Sequence, residues 1–177
     1  IGLFITSRST MDSGASSSFR EWVTREGSAD FIGAIRLPNN AFADNAGTEV
    51  TTDILIFRKR DSQSASPYAK NFNYTATLKE AVTKEGDKTT IDVNEYYIDN
   101  HDMMLGNIEL AYQSNKGTLY TANDVTLSPI KGQNLPDELR KAIKKLPVNI
   151  SDIANAELNF NQEARNEDRE GTMVLKD

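Results

Sequence analysis

The sequence predicts an α/β fold, because three short apolar runs have the character of strands and an amphipathic helix lies between the first two. Residues 1–5, 31–37 and 53–57 are predominantly apolar segments with the length of buried strands. Residues 19–23 carry apolar side chains at the i, i+3 and i+4 spacing of a helix. Since the strands do not alternate polar and apolar residues, we expect helices on both faces of their sheet.

The ends of these elements carry recognisable signals. Ser16, Ser17 and Ser18 offer hydroxyls that accept hydrogen bonds from the free N–H groups of a first helical turn. Gly27 is expected to end that helix, and Pro38 to end the second strand.

The middle of the chain predicts a less regular α+β segment. Residues 74–78 are compatible with either a strand or a helix, and residues 94–98 predict a turn of helix. Residues 108–112 and 118–120 predict a hairpin whose tight turn uses Gly117, because glycine adopts positive φ at little cost.

A second amphipathic helix is predicted between Pro136, a residue type favoured in the first helical turn, and Pro147, which ends it. Its basic face has the charge to contact phosphates, but an ordinary solvated face is the favoured interpretation. The apolar face holds Leu139, Ala142, Ile143 and Leu146, and the basic face holds Arg140, Lys141, Lys144 and Lys145.

Charge divides the chain of 177 residues into three parts. The net charge is -6, and the whole acidic excess lies after residue 60, where 13 basic residues accompany 19 acidic ones. We therefore expect an α/β part at residues 1–60, a mixed α+β extension at 61–150 and an acidic tail at 151–177. The small polar residues at 61–67 predict the connecting loop, and the tail is expected to be weakly ordered or helical with a partner.

Composition excludes several classes of protein. Without cysteine there is no disulfide scaffold, thiol nucleophile or cysteine-bound zinc, and a single histidine excludes a multi-histidine metal site. No apolar run approaches the roughly 18 residues of a membrane span. No basic segment precedes the apolar start, so we expect no signal peptide and a cytoplasmic location. The apolar start also suggests a piece cut from a larger protein, with processing of a natural N-terminus as the alternative.

The acidic segment around His101 is the first place to look for chemistry. A histidine beside Asp99 and Asp102 can act as a general base, and with Asp92 and Glu95 these carboxylates could hold a hard cation. No companion motif supports either role, so a surface histidine in a solvated acidic loop is the favoured interpretation. We expect no metal site.

The most specific local pattern is an apolar strand that ends in Leu37-Pro38, a loop that contains Phe42, and a second apolar strand closed by the basic residues 58–60. With this pattern, residues 2–60 resemble the C-terminal half of the catalytic domain of N6-adenine DNA methyltransferases. They look most like the modification subunits of bacterial type I restriction–modification systems and the methylase–helicase proteins of phages, plasmids and mobile elements. Residues 94–97 and 103–106 also resemble a helicase-associated segment downstream of such methylases.

The resemblance implies a fold. Residues 2–7 would be the fifth strand of a Rossmann-like methyltransferase sheet, and the strand that ends in Leu-Pro-x-x-x-Phe would be the sixth. The last strand, at residues 53–57, would insert antiparallel between them. The expected fold is therefore a partial Rossmann-like sheet, with its final strand antiparallel, followed by the α+β extension.

The chain departs from the family where catalysis takes place. The family's Asp-x-Gly-x-Gly cofactor loop and its catalytic Asn-Pro-Pro-Tyr/Phe element do not occur in this sequence. No catalytic or cofactor-binding residue can therefore be assigned. The resemblance implies S-adenosylmethionine as the cofactor of the parent protein, and we expect this chain alone to be inactive and to lack measurable S-adenosylmethionine binding.

Two loops are the candidates for contact with DNA. Ligands of open α/β sheets bind outside the carboxyl ends of the strands. Ser7, Arg8 and Ser9 follow the first strand, and Asn39 and Asn40 follow the second, so these residues are expected to lie near DNA in the parent protein. Ordinary polar loop residues are an equally weighted alternative.

Three functional hypotheses remain. The first is a fragment of a DNA adenine-N6 methyltransferase, and the second is a non-catalytic module of a methylase–helicase that docks DNA or a partner. The third is an unrelated small α/β binding protein. The first strand is apolar on both faces, so its open edge is expected either to associate with another copy or to be covered by residues 61–177.

Overall fold

The computed structural model describes residues 1–25, 29–43, 49–60, 71–114 and 123–147. Seven strands and four α-helices are present in these ranges. In chain order they are β1 (Gly2–Ser7), α1 (Ser9–Asp12), α2 (Ser17–Arg25), β2 (Ala29–Leu37), β3 (Thr52–Lys59), β4 (Thr75–Val82), β5 (Lys88–Asn94), α3 (Glu95–Asp99), β6 (Asn107–Leu110), β7 (Val125–Ser128) and α4 (Leu135–Lys145).

The first three strands form one sheet in the order β1-β3-β2, and β3 runs antiparallel to both neighbours. Phe4 pairs with Leu55 on one side of β3, and Ala34 pairs with the same residue on the other. The prediction that the third strand inserts antiparallel between the first two is confirmed. As a result, β1 and β2 run in the same direction on opposite sides of β3.

The expectation of helices on both faces of every strand is wrong for β1. Its residues Leu3, Phe4 and Ile5 are 67%, 54% and 61% exposed, whereas β2 is buried from Asp30 to Leu37. An apolar composition therefore marks burial in β2 but not in β1, which lies at the sheet's border. All strand pairs in the described ranges are antiparallel, so the molecule is a mixed α/β protein built from small antiparallel sheets.

The extension contains two hairpin-like pairs. Strands β4 and β5 pair antiparallel around a turn in which Gly86 adopts a φ of 97°. Residues 74–78, open between strand and helix in the sequence, belong mainly to β4. Helix α3 confirms the predicted helical turn, and the Asn94 side chain caps it by accepting a hydrogen bond from the Tyr96 N–H.

The predicted hairpin at 108–112 and 118–120 is only partly within the described residues. Strand β6 stops at Leu110, because residues Ala111–Ser114 turn into a short 3₁₀-helix, and β6 then pairs with β7 at Val125–Ser128. The predicted turn at Gly117 and the predicted strand at 118–120 lie outside the described residues.

Helix α4 confirms the predicted helix, with Asn134 as N-cap and Pro136 in the first turn. The Asn134 side chain accepts a hydrogen bond from the Asp137 N–H at 3.2 Å. Only part of the apolar face is buried, since Ala142 is 2% exposed but Ile143 is 52% exposed. Leu146, which directly follows the helix, places its side chain against Gly33 of β2.

One hydrophobic core joins the predicted first part to the extension. Phe31 stacks on Phe72 with ring centroids 4.2 Å apart, and Phe57 meets the same ring edge-on. Val93, Tyr97, Leu110 and Ala142 belong to this cluster as well. The predicted connection at 61–67 and the predicted tail at 151–177 lie outside the described residues. Among the helices in the described ranges, none has the length and apolar character needed to cross a membrane.

Candidate functional site

The border of the sheet at β1 carries several exposed apolar side chains. Strand β1 has β3 on one side, and no other described strand pairs with its opposite edge. Leu3 and Ile5 point to one face of the sheet and Phe4 to the other, and all three are more than half exposed. We call this edge, together with the groove described next, the β1 surface.

The groove lies between β1 and α2. It encloses about 820 Å³. Phe19 and Trp22 of α2 are 49% and 53% exposed at its wall, and Phe4 contacts Phe57 across its floor at a centroid distance of 6.1 Å. The lining consists of Ile1, Gly2, Phe4, Thr6, Thr10, Ala15, Ser16, Phe19, Trp22, Val23, Ala29, Leu55, Phe57 and Lys59.

The loops after β1 and β2 begin at the same edge of the sheet, because Ser7 and Leu37 both pair with Thr52. The hydroxyl oxygens of Ser7 and Ser9 are 2.7 Å apart on the exposed surface. The Arg8 guanidinium donates to Asp12 Oδ2 at 3.1 Å, and its side chain is 28% exposed. Arg8 is therefore held at this edge while part of it remains accessible.

Asn39 and Asn40 have different surroundings. Asn39 is 2% exposed, and its backbone N–H donates to the Leu127 carbonyl at 2.7 Å. Its side-chain amide donates to the Thr126 hydroxyl at 3.3 Å, so the β6–β7 pair covers this residue. Asn40 is exposed. The end of β1 is consequently more accessible than the end of β2.

A buried ionic network lies behind the Ser7–Ser9 loop and is centred on Arg36, which is fully buried in β2. Its guanidinium donates two hydrogen bonds to the Asp53 carboxylate, at 2.8 and 2.9 Å, and two to the Asp12 carboxylate, at 2.8 and 3.0 Å. The same guanidinium lies 4.3 Å from the ring centroid of Tyr97. Bidentate pairing of this kind is the strongest mode of arginine–carboxylate recognition.

The network joins α1, β2, β3 and the extension. The Tyr97 hydroxyl donates to Asp53 Oδ1 at 2.8 Å, and the Asn94 backbone N–H donates to Asp12 Oδ1 at 2.9 Å. The Asn94 side chain donates to the carbonyls of Met11 and Phe72. Asp12 also receives the hydrogen bond from Arg8, so the network positions that exposed side chain.

The burial of these groups changes their proton affinities. Burial opposes the charge of Arg36, but the attraction and hydrogen bonds of Asp53 raise the pKa of Arg36 well above its ordinary value. Burial raises the pKa of Asp53, while Arg36 and Tyr97 counteract that shift. Burial, then the negative charge of Asp53, raises the pKa of Tyr97 well above its ordinary value. Arg36 therefore has two carboxylate partners, and the network links α1, β2, β3 and α3.

The remaining sequence candidates are separated or already paired. His101 lies on an exposed 3₁₀ turn, and Asp102 pairs with Lys145. Asp92 accepts a hydrogen bond from Thr77, and Asp99 accepts one from Asn71. No group of three or more metal-ligating side chains occurs within the described ranges.

The basic face of α4 is balanced by acids. Arg140 pairs with Asp137 at 2.8 Å, and Lys141 pairs with Glu138 at 2.6 Å. Lys144 is exposed on the same helix. Two of the four basic side chains of this face are therefore engaged by acids of the same helix.

The sequence prediction missed the network residues Asp12, Arg36, Asp53, Asn94 and Tyr97. The available signal was one basic and one acidic residue, Arg36 and Asp53, each inside an otherwise apolar strand. Comparison with known proteins adds no assignment to this geometry: no family model, curated protein or solved structure matches the chain.

Proposed function

We propose that the chain supplies the last three strands of the catalytic domain of an N6-adenine DNA methyltransferase. The observation that carries this proposal is the order β1-β3-β2 with an antiparallel central strand. That order is the one that the resemblance of residues 2–60 implies for the fifth, last and sixth strands. The parent protein would act in the cytoplasm and transfer a methyl group from S-adenosylmethionine to the N6 atom of an adenine flipped out of the duplex.

The β1 surface gives independent support. In a complete methyltransferase sheet the fifth strand has a neighbour on each edge and cover on both faces. Leu3, Phe4 and Ile5 are exposed on the two faces of β1, and no described strand pairs with its outer edge. An apolar, uncharged edge is where further strands and helices of the same domain would pack.

DNA would approach the edge where Ser7, Arg8 and Ser9 lie, because ligands bind at the carboxyl ends of parallel strands in open α/β sheets. Arg8 is the cation available there, and Asn40 is the exposed polar residue after β2. The buried Asn39 would hold the loop after β2 in place, because its side chain donates a hydrogen bond to Thr126. The chain itself contributes no catalytic residue and no residue to the S-adenosylmethionine site.

The experiment uses the complete reading frame that encodes the chain. We expect an Asn-Pro-Pro-aromatic element within about a hundred residues before Ile1, because the strands of one domain must fit that length. The encoded protein, incubated with plasmid DNA and S-adenosylmethionine, is expected to produce N6-methyladenine detectable by mass spectrometry of nucleosides. A reading frame without the element, whose product leaves adenine unmodified, contradicts the proposal.

A second candidate function is favoured by the same β1 surface. A non-catalytic module of a methylase–helicase would use this apolar border to dock a partner domain, and it needs no methyl transfer. The two functions differ in one outcome: a docking module binds its partner through the β1 surface while its reading frame lacks the catalytic element.

A further inference from the structure

Strand β1 lacks the features that keep exposed edges from pairing. Natural edge strands carry charged side chains, proline or bulges that prevent association. Gly2–Ser7 contains no charged residue and no proline, and its pairing with β3 is regular from Gly2 to Ser7. The outer edge of β1 is therefore a template for another strand.

We propose that two copies of this chain associate through their β1 edges to form a continuous six-stranded sheet. The two β1 strands run antiparallel about a two-fold axis at Phe4, which gives the order β2-β3-β1-β1-β3-β2. In this register Phe4 lies opposite Phe4 of the second copy, and Leu3 lies opposite Ile5. Each exposed apolar side chain then has an apolar cross-strand neighbour, the kind of pair that stabilises antiparallel strands.

The symmetry of this arrangement also fixes where the two grooves lie. A two-fold axis perpendicular to a sheet keeps each face on its own side, so both α2 helices lie on the face that carries Phe4. Phe19 and Trp22 line that face beside Phe4. The two grooves thus lie on the same face of the six-stranded sheet, one on each side of the new β1–β1 junction.

The exposed apolar area of the β1 surface is close to the smallest area that a weak, specific dimer buries. A fully buried aromatic side chain covers about 150–250 Å². Phe4, Phe19 and Trp22 are 54%, 49% and 53% exposed, so together they offer on the order of 300 Å² per copy. If Leu3 and Ile5 are added and all five side chains become fully buried, the two copies bury at most about 1,000 Å² in total, which is at the lower limit of biological interfaces. We therefore expect a dissociation constant in the micromolar range.

This association does not require the proposed function, since it needs only the β1 surface, but both use the same outer edge of β1. One edge cannot pair with a second copy and with another strand at the same time. A neighbouring strand in a larger protein would therefore replace the second copy, and the dimer is a property of the chain as given.

The first test is the mass of the chain in solution. Sedimentation equilibrium across a dilution series from about 1 to 200 µM, which brackets a micromolar constant, is expected to show reversible dimerisation of the wild type. Ile5→Lys places two positive charges at the junction, one from each copy. It is expected to raise the dissociation constant of the dimer at least tenfold. Ile143→Lys is the matched control, because Ile143 is 52% exposed on α4, and it is expected to dimerise like the wild type.

The second test fixes the register and does not depend on Ile5→Lys folding. The chain has no cysteine, so single cysteines report on contacts directly. Opposed residues of antiparallel strands have Cα atoms about 4.5–5.5 Å apart, which suits a disulfide. Phe4→Cys is expected to form a covalent dimer under mild oxidation, whereas Val82→Cys, exposed on β4, is expected not to do so.

Three outcomes overturn the proposal. The first is a monomer at every concentration, including one in which the β1 amides exchange slowly because other residues of the chain cover them. The second is a dimer that Ile5→Lys, folded by circular dichroism, leaves unchanged. The third is equal cross-linking of the two cysteine variants.

Discussion

At the scale of single residues, Arg36 determines how the sheet and the extension hold together. Its guanidinium is surrounded by the carboxylates of Asp12 and Asp53 and by the ring of Tyr97. These partners come from α1, β3 and α3, so one side chain fixes three elements. The sequence displays Arg36 and Asp53 as isolated charges in apolar strands, but their pairing depends on strand register, which the sequence does not specify.

Arg36→Ala is expected to destabilise the chain by about 3–5 kcal/mol, because it leaves the Asp53 carboxylate buried without a cation and Asp12 with Arg8 alone. Urea unfolding followed by circular dichroism measures the change. Arg25→Ala is the control, since the Arg25–Glu21 pair on α2 is exposed and such pairs contribute about 0–1 kcal/mol. An equal loss of unfolding free energy in the two variants would show that the buried network stabilises the chain no more than an exposed ion pair does.

Tyr96 predicts how stability depends on alkaline pH. Burial raises the pKa of Tyr96 from its ordinary value of 10.0 to about 12, with a hydrogen bond to the Ala34 backbone opposing the shift. Between pH 10 and 12 the unfolded chain releases this proton while the folded chain keeps it. The contribution of Tyr96 to the free energy of unfolding is therefore fully present below pH 10 and is lost as the pH rises to 12. The two-unit shift corresponds to about 2–3 kcal/mol.

Tyr96→Phe is expected to flatten part of that alkaline loss, because phenylalanine has no proton to release. Urea unfolding at pH 9, 11 and 12 measures the slope, and a variant with the wild-type slope would contradict the assignment. Tyr97→Phe is the comparison, since the pKa of Tyr97 is also raised and its hydroxyl additionally bonds Asp53.

At the scale of secondary structure, strands and helices with strong local signals were predictable. The partners of β1, β2 and β3 were predicted from the family resemblance, whereas the partner of β6 was not. The apolar runs of β1, β2 and β3 and the proline-bounded α4 could be recognised from composition and spacing. Strand β6 was predicted to pair across a tight turn at Gly117, yet it pairs with β7. The hydrophobic pattern identifies β6 as a strand, but the partner of β6 depends on the path of the chain after Leu110.

The cap of α4 offers a test at this scale. Asn134→Ala removes the side chain that accepts a hydrogen bond from the Asp137 N–H, and caps of this type contribute about 1 kcal/mol. We expect that loss in urea unfolding, with Asn134→Asp restoring most of it, because aspartate caps as well as asparagine. A loss from Asn134→Asp as large as that from Asn134→Ala would refute the capping role.

At the scale of the whole molecule, residues of the first part and of the extension form a single core around Phe31 and Phe72. Charge distribution divided the chain into parts, but charge describes the surface and carries no information on which apolar faces meet. The exposure of β1 could not be predicted from the sequence either, because its apolar composition is the same as that of a buried strand. Exposure there reflects its place at the border of the sheet.

The chain alone is expected to bind no S-adenosylmethionine, because the sequence lacks the Asp-x-Gly-x-Gly loop that holds this cofactor in the methyltransferases it resembles. Isothermal titration calorimetry at about 100 µM protein, well above a micromolar constant, is expected to give no binding heat. Micromolar binding would mean that the chain contains a cofactor site of its own, and it would contradict the proposed division of roles.

The central proposal is that β1, β3 and β2 are the last strands of a methyltransferase sheet that would continue beyond β1. The most direct measurement is the N6-methyladenine content of DNA treated with S-adenosylmethionine and the protein from the complete reading frame, compared with its Ile5→Lys and Ile143→Lys variants. We expect methyladenine from the wild type and from Ile143→Lys, and at least a tenfold loss for Ile5→Lys, whose charge disrupts the junction. No methyladenine from the wild-type protein would contradict the proposal.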